Sequence, residues 1–73
     1  MHTPTALTGA NVRAEIARRG MSQAAVRKAI GISQGQFSKR LRGTIAFDIN
    51  ELSAIAKALD IPLADLLPKE PAA

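Results

Sequence analysis

Ser22–Gly43 reads SQAAVRKAIGISQGQFSKRLRG, and its punctuation decides the fold. Ser22 stands where a helix N-cap is wanted, because a serine hydroxyl accepts a hydrogen bond from an orphan amide of the first helical turn. Met21 before it and Val26 after it have the spacing of a hydrophobic staple. About nine residues on, Gly31 supplies the left-handed residue that ends a helix. Ile32 and Ser33 repeat the start signal, with the staple Ile32–Phe37 and with Gln36 placed to complete a capping box. Gly43 closes the second helix. Two short helices joined by so tight a turn cannot lie antiparallel and must cross steeply, which is the helix-turn-helix arrangement. The second helix then has an inner face of Phe37 and Leu41. Its outer face carries Gln34, Gln36, Ser38, Lys39 and Arg42, all able to hydrogen-bond and none acidic.

The same grammar extends outward in both directions. Thr8 as N-cap gives the staple Leu7–Val12, and Gly20 follows as a stop. Asp48 as N-cap gives the staple Phe47–Leu52, with Glu51 completing a capping box and both acids favoured by the helix dipole. These signals predict helices over about 8–19, 22–30, 33–42 and 48–59. A short fifth helix has Pro62 in its first turn and Leu63, Leu66 and Leu67 as its apolar face. No stretch alternates with period two, so no strand is expected. Apolar residues at helical spacing predict the core: Val12 and Ile16; Val26 and Ile30; Phe37 and Leu41; Phe47; and Leu52, Ile55, Ala56 and Leu59. No single helix can bury so narrow a stripe, so the expectation is one all-α domain over residues 6–68. Residues 1–5 and 69–73 are expected to be flexible ends.

Composition excludes most chemistry. The chain has 73 residues, no Cys and a single His, His2, near the N-terminus. There is no disulfide framework, no thiolate metal site and no nucleophile–base pairing, so no metal or cofactor and no enzymatic role are expected. No apolar run is long enough to span a membrane, and Met1–Ala6 lacks the features of a secretory signal. The formal charge of +4 is unevenly spread. Through Ala46, eight basic residues face Glu15 alone, which leaves +7; from Phe47 onward Lys57 and Lys69 face five acids, which leaves −3. Such asymmetry suits a chain with one end directed at a polyanion. An α-helix with a polar, acid-free outer face fits the DNA major groove, where the residues of its N-terminal half reach base edges.

These residues resemble the helix-turn-helix of the phage repressor, Cro and XRE-type regulators. The resemblance runs from about Thr8 to Leu67. It rests on Gln23 opening the first motif helix, Gly31 in the turn, Ile32-Ser33-Gln34, Phe37 and the Leu41-Arg42-Gly43 closure. Downstream, Phe47-Asp48-Ile49-Asn50-Glu51-Leu52 and Ala58-Leu59-Asp60-Ile61-Pro62-Leu63 resemble the family's fourth and fifth helices. The resemblance implies the five-helix fold of that family, with helices 2 and 3 as the motif, and sequence-specific binding of double-stranded DNA. Carried over by position, Gln34 becomes the first candidate for base readout, since a carboxamide bonds adenine bidentately. Gln23 is expected to hydrogen-bond Gln34 while touching a phosphate. Lys39 reaches either guanine or a phosphate, and Gln36 and Ser38 are further readout candidates. Ser22, Ser33, Arg42, Thr44 and Arg40 are candidate phosphate contacts, Arg40 standing where relatives bury an aliphatic residue. Arg18 and Arg19 are expected to be solvated charges ending the first helix.

Two positions depart from the family. Arg27 stands where relatives pack Ala under the recognition helix, so either its stem packs while its head finds a polar partner, or it contacts phosphate. Gly35 stands where relatives carry a base-reading side chain, so it reads no base itself. The implied function is a transcriptional regulator, most simply a small repressor of the Cro or minimal immunity-repressor type. Its partner is a two-fold symmetric DNA operator, bound by a homodimer that forms in solution or only on DNA; the stripe Leu63, Leu66 and Leu67 either caps the fourth helix within the chain or makes the contact between copies. No small-molecule ligand is expected, and the setting is the cytoplasm or nucleoid of a bacterial host. The alternatives are an antitoxin that binds both DNA and a protein, and a protein-interaction module without a specific DNA site.

Overall fold

Every α-helix begins on a side-chain oxygen. In the computed structural model, which describes residues 3–68, α1 spans Pro4–Arg18, α2 Gln23–Ile30, α3 Gln34–Leu41 and α4 Ile49–Leu59. A single 3₁₀ turn, Leu63–Leu66, follows. Ser22 Oγ accepts from the Ala25 amide at 3.0 Å, Ser33 Oγ from Gln36 at 3.2 Å and Asp48 Oδ1 from Glu51 at 2.7 Å. These are the three caps expected from the sequence for α2, α3 and α4. Gly31 ends α2 at φ 74°, a left-handed conformation that a side chain would resist.

Four expectations are corrected. Helix α1 starts at Pro4, not at Thr8, because Thr3 Oγ1 accepts from the Ala6 amide at 3.1 Å and Pro4 fits the first helical position. Thr8 therefore lies inside the helix and donates its hydroxyl to the Pro4 carbonyl at 2.9 Å, so Leu7–Val12 is no staple. Pro4 and Thr5, assigned to a flexible end, are helical; residues 1–2 and 69–73 lie outside the described residues. The capping box at Ser33 is half formed, because the Gln36 carboxamide turns to Arg40 instead of the Ser33 amide. The fifth helix is one 3₁₀ turn, since Pro62 and Pro68 leave room for little more.

The early start of α1 has a packing cause. Its N-terminal half lies against the end of α3, so closely that a Cβ on Gly9 would come within 2.5 Å of the Leu41 carbonyl oxygen. Gly43, at φ 82°, meets Ala6 in the same way. Helix α4 packs on α2, and the 3₁₀ turn joins α4 to α1. All the expected core residues are buried except Ile30, which is half-buried at the core's edge. Ile61 and Leu66 join them, Leu66 with no exposed surface at all. Of the stripe Leu63–Leu66–Leu67, the middle residue is thus buried within one chain, in the turn that packs on α4, the intramolecular one of the two roles expected for it. Asn11 of α1 holds this turn in place, its Nδ2 donating to the Leu66 and Leu67 carbonyls at 3.3 and 3.1 Å.

Candidate nucleic-acid interface

Helix α3 is short, and its two apolar residues fix which way the others point. Phe37 and Leu41 are buried, so Lys39 stands on the opposite side, flanked by Gly35, Gln36 and Arg42. Phe37 is fixed from a second direction by Phe47, whose ring meets it edge-on at 6.0 Å between centroids. The loop before α4 therefore helps to set the rotation of α3. Gln34, Gln36, Lys39, Arg42 and Thr44 are exposed, and Ser38 is half-buried.

Gln34 and Ser38 look toward α2. With Gln23 and Phe37 they line a shallow cleft between the two motif helices, and Arg27 forms part of its wall. The structure thus brings Gln23 and Gln34 to the walls of one cleft, without the hydrogen bond between them that the resemblance implied. Arg27 keeps its stem in the half-buried cleft and donates from Nη1 to the Ile32 carbonyl at 3.0 Å. The guanidinium so closes the turn between α2 and α3 and satisfies a carbonyl that the interrupted helix leaves over. Ser22 and Ser33 are exposed at the helix starts; each hydroxyl oxygen is occupied as a cap, while its hydrogen remains available to a phosphate.

Arg40 is differently placed from the other candidate phosphate contacts. Its Nε donates to Glu51 Oε1 at 3.0 Å, and its Nη1 donates to the Gln36 carbonyl and side-chain oxygens at 3.1 and 2.8 Å. Only 16% of its side chain is exposed, against 14% for Glu51. Its charge ties α3 to the capping box of α4 instead of projecting toward solvent. Arg18 and Arg19 are exposed, as expected, and both also pair with the buried Glu15 of their own helix, Arg19 at 3.9 Å. The spacing of Glu15 to Arg18 and Arg19 suits pairing along one helix, but the burial of Glu15 and the Arg40–Glu51 pair depend on tertiary packing. No acidic residue lies between Ser22 and Gly43, so the two motif helices contribute only neutral and basic side chains.

Among the described residues there is no cluster of potential metal ligands, and no helix is long and apolar enough to cross a membrane. Residues 11–71 match the profile of the Cro/C1-type helix-turn-helix DNA-binding domain. A comparison with curated proteins gives no significant match. Among solved structures, the chain is similar to the clp gene regulator ClgR from C. glutamicum, with a TM-score of 0.81 and 25% identity over 88% of this chain and 83% of that one. It is also similar in fold to the restriction-modification controller protein C.AhdI from Aeromonas hydrophila, with a TM-score of 0.77 and 22% identity over 86% of this chain and 96% of that one.

Proposed function

Since the chain belongs to the Cro/C1-type helix-turn-helix DNA-binding family and is a DNA-binding regulator, not an enzyme, we propose that it controls transcription by laying α3 in the major groove of a specific operator. The observation that carries this reading is the outer face of α3, where Gln34, Gln36, Lys39 and Arg42 are exposed together with no acid among them. Gln34 and Lys39 read base edges, with Ser38 beside them, and Gln23 braces Gln34 from across the cleft. Ser22 and Ser33 meet phosphates at the starts of α2 and α3, where two helix dipoles favour an anion. Arg42 and Thr44 grip the backbone beside the far end of α3.

The finer role is that of a small repressor of the phage Cro or immunity type, acting on the chromosome in the bacterial cytoplasm. Two copies bind a two-fold operator with half-sites about one helical turn apart. Leu63 and Leu67, the partly exposed members of the C-terminal stripe, are available for the contact between them. The two solved neighbours, named as a gene regulator and a controller protein, agree with a regulatory role.

Binding-site selection on random duplex DNA tests this directly. The expected result is one enriched palindromic site, with affinity falling along the salt axis by a slope of about −0.9 per phosphate contact. Gln34→Ala should weaken binding to some sequences only, whereas Arg42→Ala should weaken all duplexes alike. Equal binding of random and selected duplexes at physiological salt would overturn the proposal.

A further inference from the structure

The Arg40–Glu51 pair does more than join two helices, because it also holds one end of a side chain on the outer face of α3. Gln36 is exposed, yet its Oε1 accepts from Arg40 Nη1 at 2.8 Å. Arginine has donors only, so the carboxamide oxygen and not its nitrogen must face the guanidinium. Arg40 cannot easily swing away. Its Nε is fixed on Glu51 Oε1 at 3.0 Å, its Nη1 also holds the Gln36 backbone carbonyl at 3.1 Å, and both charged side chains are more than four-fifths buried. The same Glu51 oxygen receives the Asp48 amide at 3.0 Å, so the chain of bonds is anchored at the start of α4.

We infer that Gln36 reads DNA as a donor alone, and that the Arg40–Glu51 pair is the positioning element that makes it select guanine over adenine. The inference rests on α3 lying in the major groove. A glutamine free at both ends recognises adenine by donating to N7 and accepting from N6. That contact needs the oxygen and the nitrogen of one planar group to face the same base. The oxygen keeps a second lone pair, but turned to Arg40 it points away from a base that the N–H groups of the same planar amide would face. Guanine offers two acceptors, O6 and N7, whereas adenine sets an N6 donor beside its single acceptor. Lys39, also a donor only, stands next to Gln36 on the same face and favours the same edge. Gln34 lies on the flank toward α2 and has no such clamp, so the two glutamines of α3 differ in what they select although their chemistry is the same.

The test is site selection with the full chain, its Gln36→Ala variant and the Arg40→Met/Glu51→Gln double variant, which opens the clamp without leaving a buried charge alone. Circular dichroism checks that each variant stays folded; Gln36 is exposed and its loss leaves the core untouched. Expected is a base pair at which the parent prefers guanine to adenine by about fivefold to tenfold. Gln36→Ala flattens that preference, and the double variant brings guanine and adenine within about twofold of each other at the same base pair while other positions keep theirs. An adenine preference in the parent at that base pair, a Gln36→Ala variant that alters no position or weakens all sequences alike, or a double variant with an unchanged guanine preference would each overturn the inference. A parent that enriches no site at all would instead overturn the reading of α3 as a groove reader, and this inference with it.

Discussion

Two glycines in helices show how differently one residue type is used. Gly9 lies where a Cβ would come within 2.5 Å of the Leu41 oxygen and 2.7 Å of the Arg40 oxygen, both backbone atoms. Gly9→Ala should therefore destabilise the domain by about 1–3 kcal/mol, although alanine is the better helix former. Around Gly35 there is open space, so Gly35→Ala should stabilise by about 0.5–1 kcal/mol. Urea unfolding of the two variants beside the parent gives both signs in one experiment. Arg27 makes a third residue-scale case. Its guanidinium is bonded to the Ile32 carbonyl, so Arg27→Ala should lower stability by about 1 kcal/mol. It should leave the salt slope of DNA binding unchanged, where loss of a phosphate contact would make that slope shallower by about 0.9.

At the scale of elements, side-chain caps govern where helices begin, and tertiary partners decide how the helices are joined. Ser22, Ser33 and Asp48 act within three residues of themselves, so their roles can be read locally. Asp48→Ala should cost about 1 kcal/mol through the lost cap of α4. Glu51 has two duties, completing that cap and neutralising Arg40. A double-mutant cycle between Arg40→Met and Glu51→Gln should give a coupling energy above the roughly 1 kcal/mol typical of exposed pairs, because this one is mostly buried. A coupling near zero would mean that α3 and α4 are aligned by the Phe37–Phe47 contact and the core alone.

For the whole molecule, closure of the core depends on its last turn. Leu66 is fully buried, and Asn11 secures the carbonyls beside it from α1. A domain of this length has a stability of roughly 4–11 kcal/mol at 0.05–0.15 kcal/mol per residue. Leu66→Ala, at about 2–5 kcal/mol for a buried leucine, should remove a large part of it and lower the melting temperature steeply. Leu63→Ala and Leu67→Ala, at partly buried positions, should cost less. Thermal unfolding followed by circular dichroism would rank the three.

Reading the chain alone located α2, the turn at Gly31, α3 and α4, together with nearly all of the core. Caps, stop glycines and apolar spacing act over three or four residues, and their physics is complete within that range. The start of α1 was misplaced at Thr8, whereas the cap is Thr3 with Pro4 in the first turn. The tertiary contact of Gly9 and Ala6 with the end of α3 favours the longer helix. The outer face of α3 could also be assigned from the positions of Phe37 and Leu41, because helical geometry then leaves Lys39 one direction to point. Which donors remain free on that face was a different matter. Arg40, Arg27 and Asn11 each reach a partner outside their own helix that local patterning does not specify, and a side chain with several rotatable bonds has many within reach. Only the packed structure selects among them, since burial raises the cost of leaving a charge or a carbonyl alone. Local rules thus set the helices and the polarity of the reading face, and tertiary packing determined which of its side chains are held and which are left to bind.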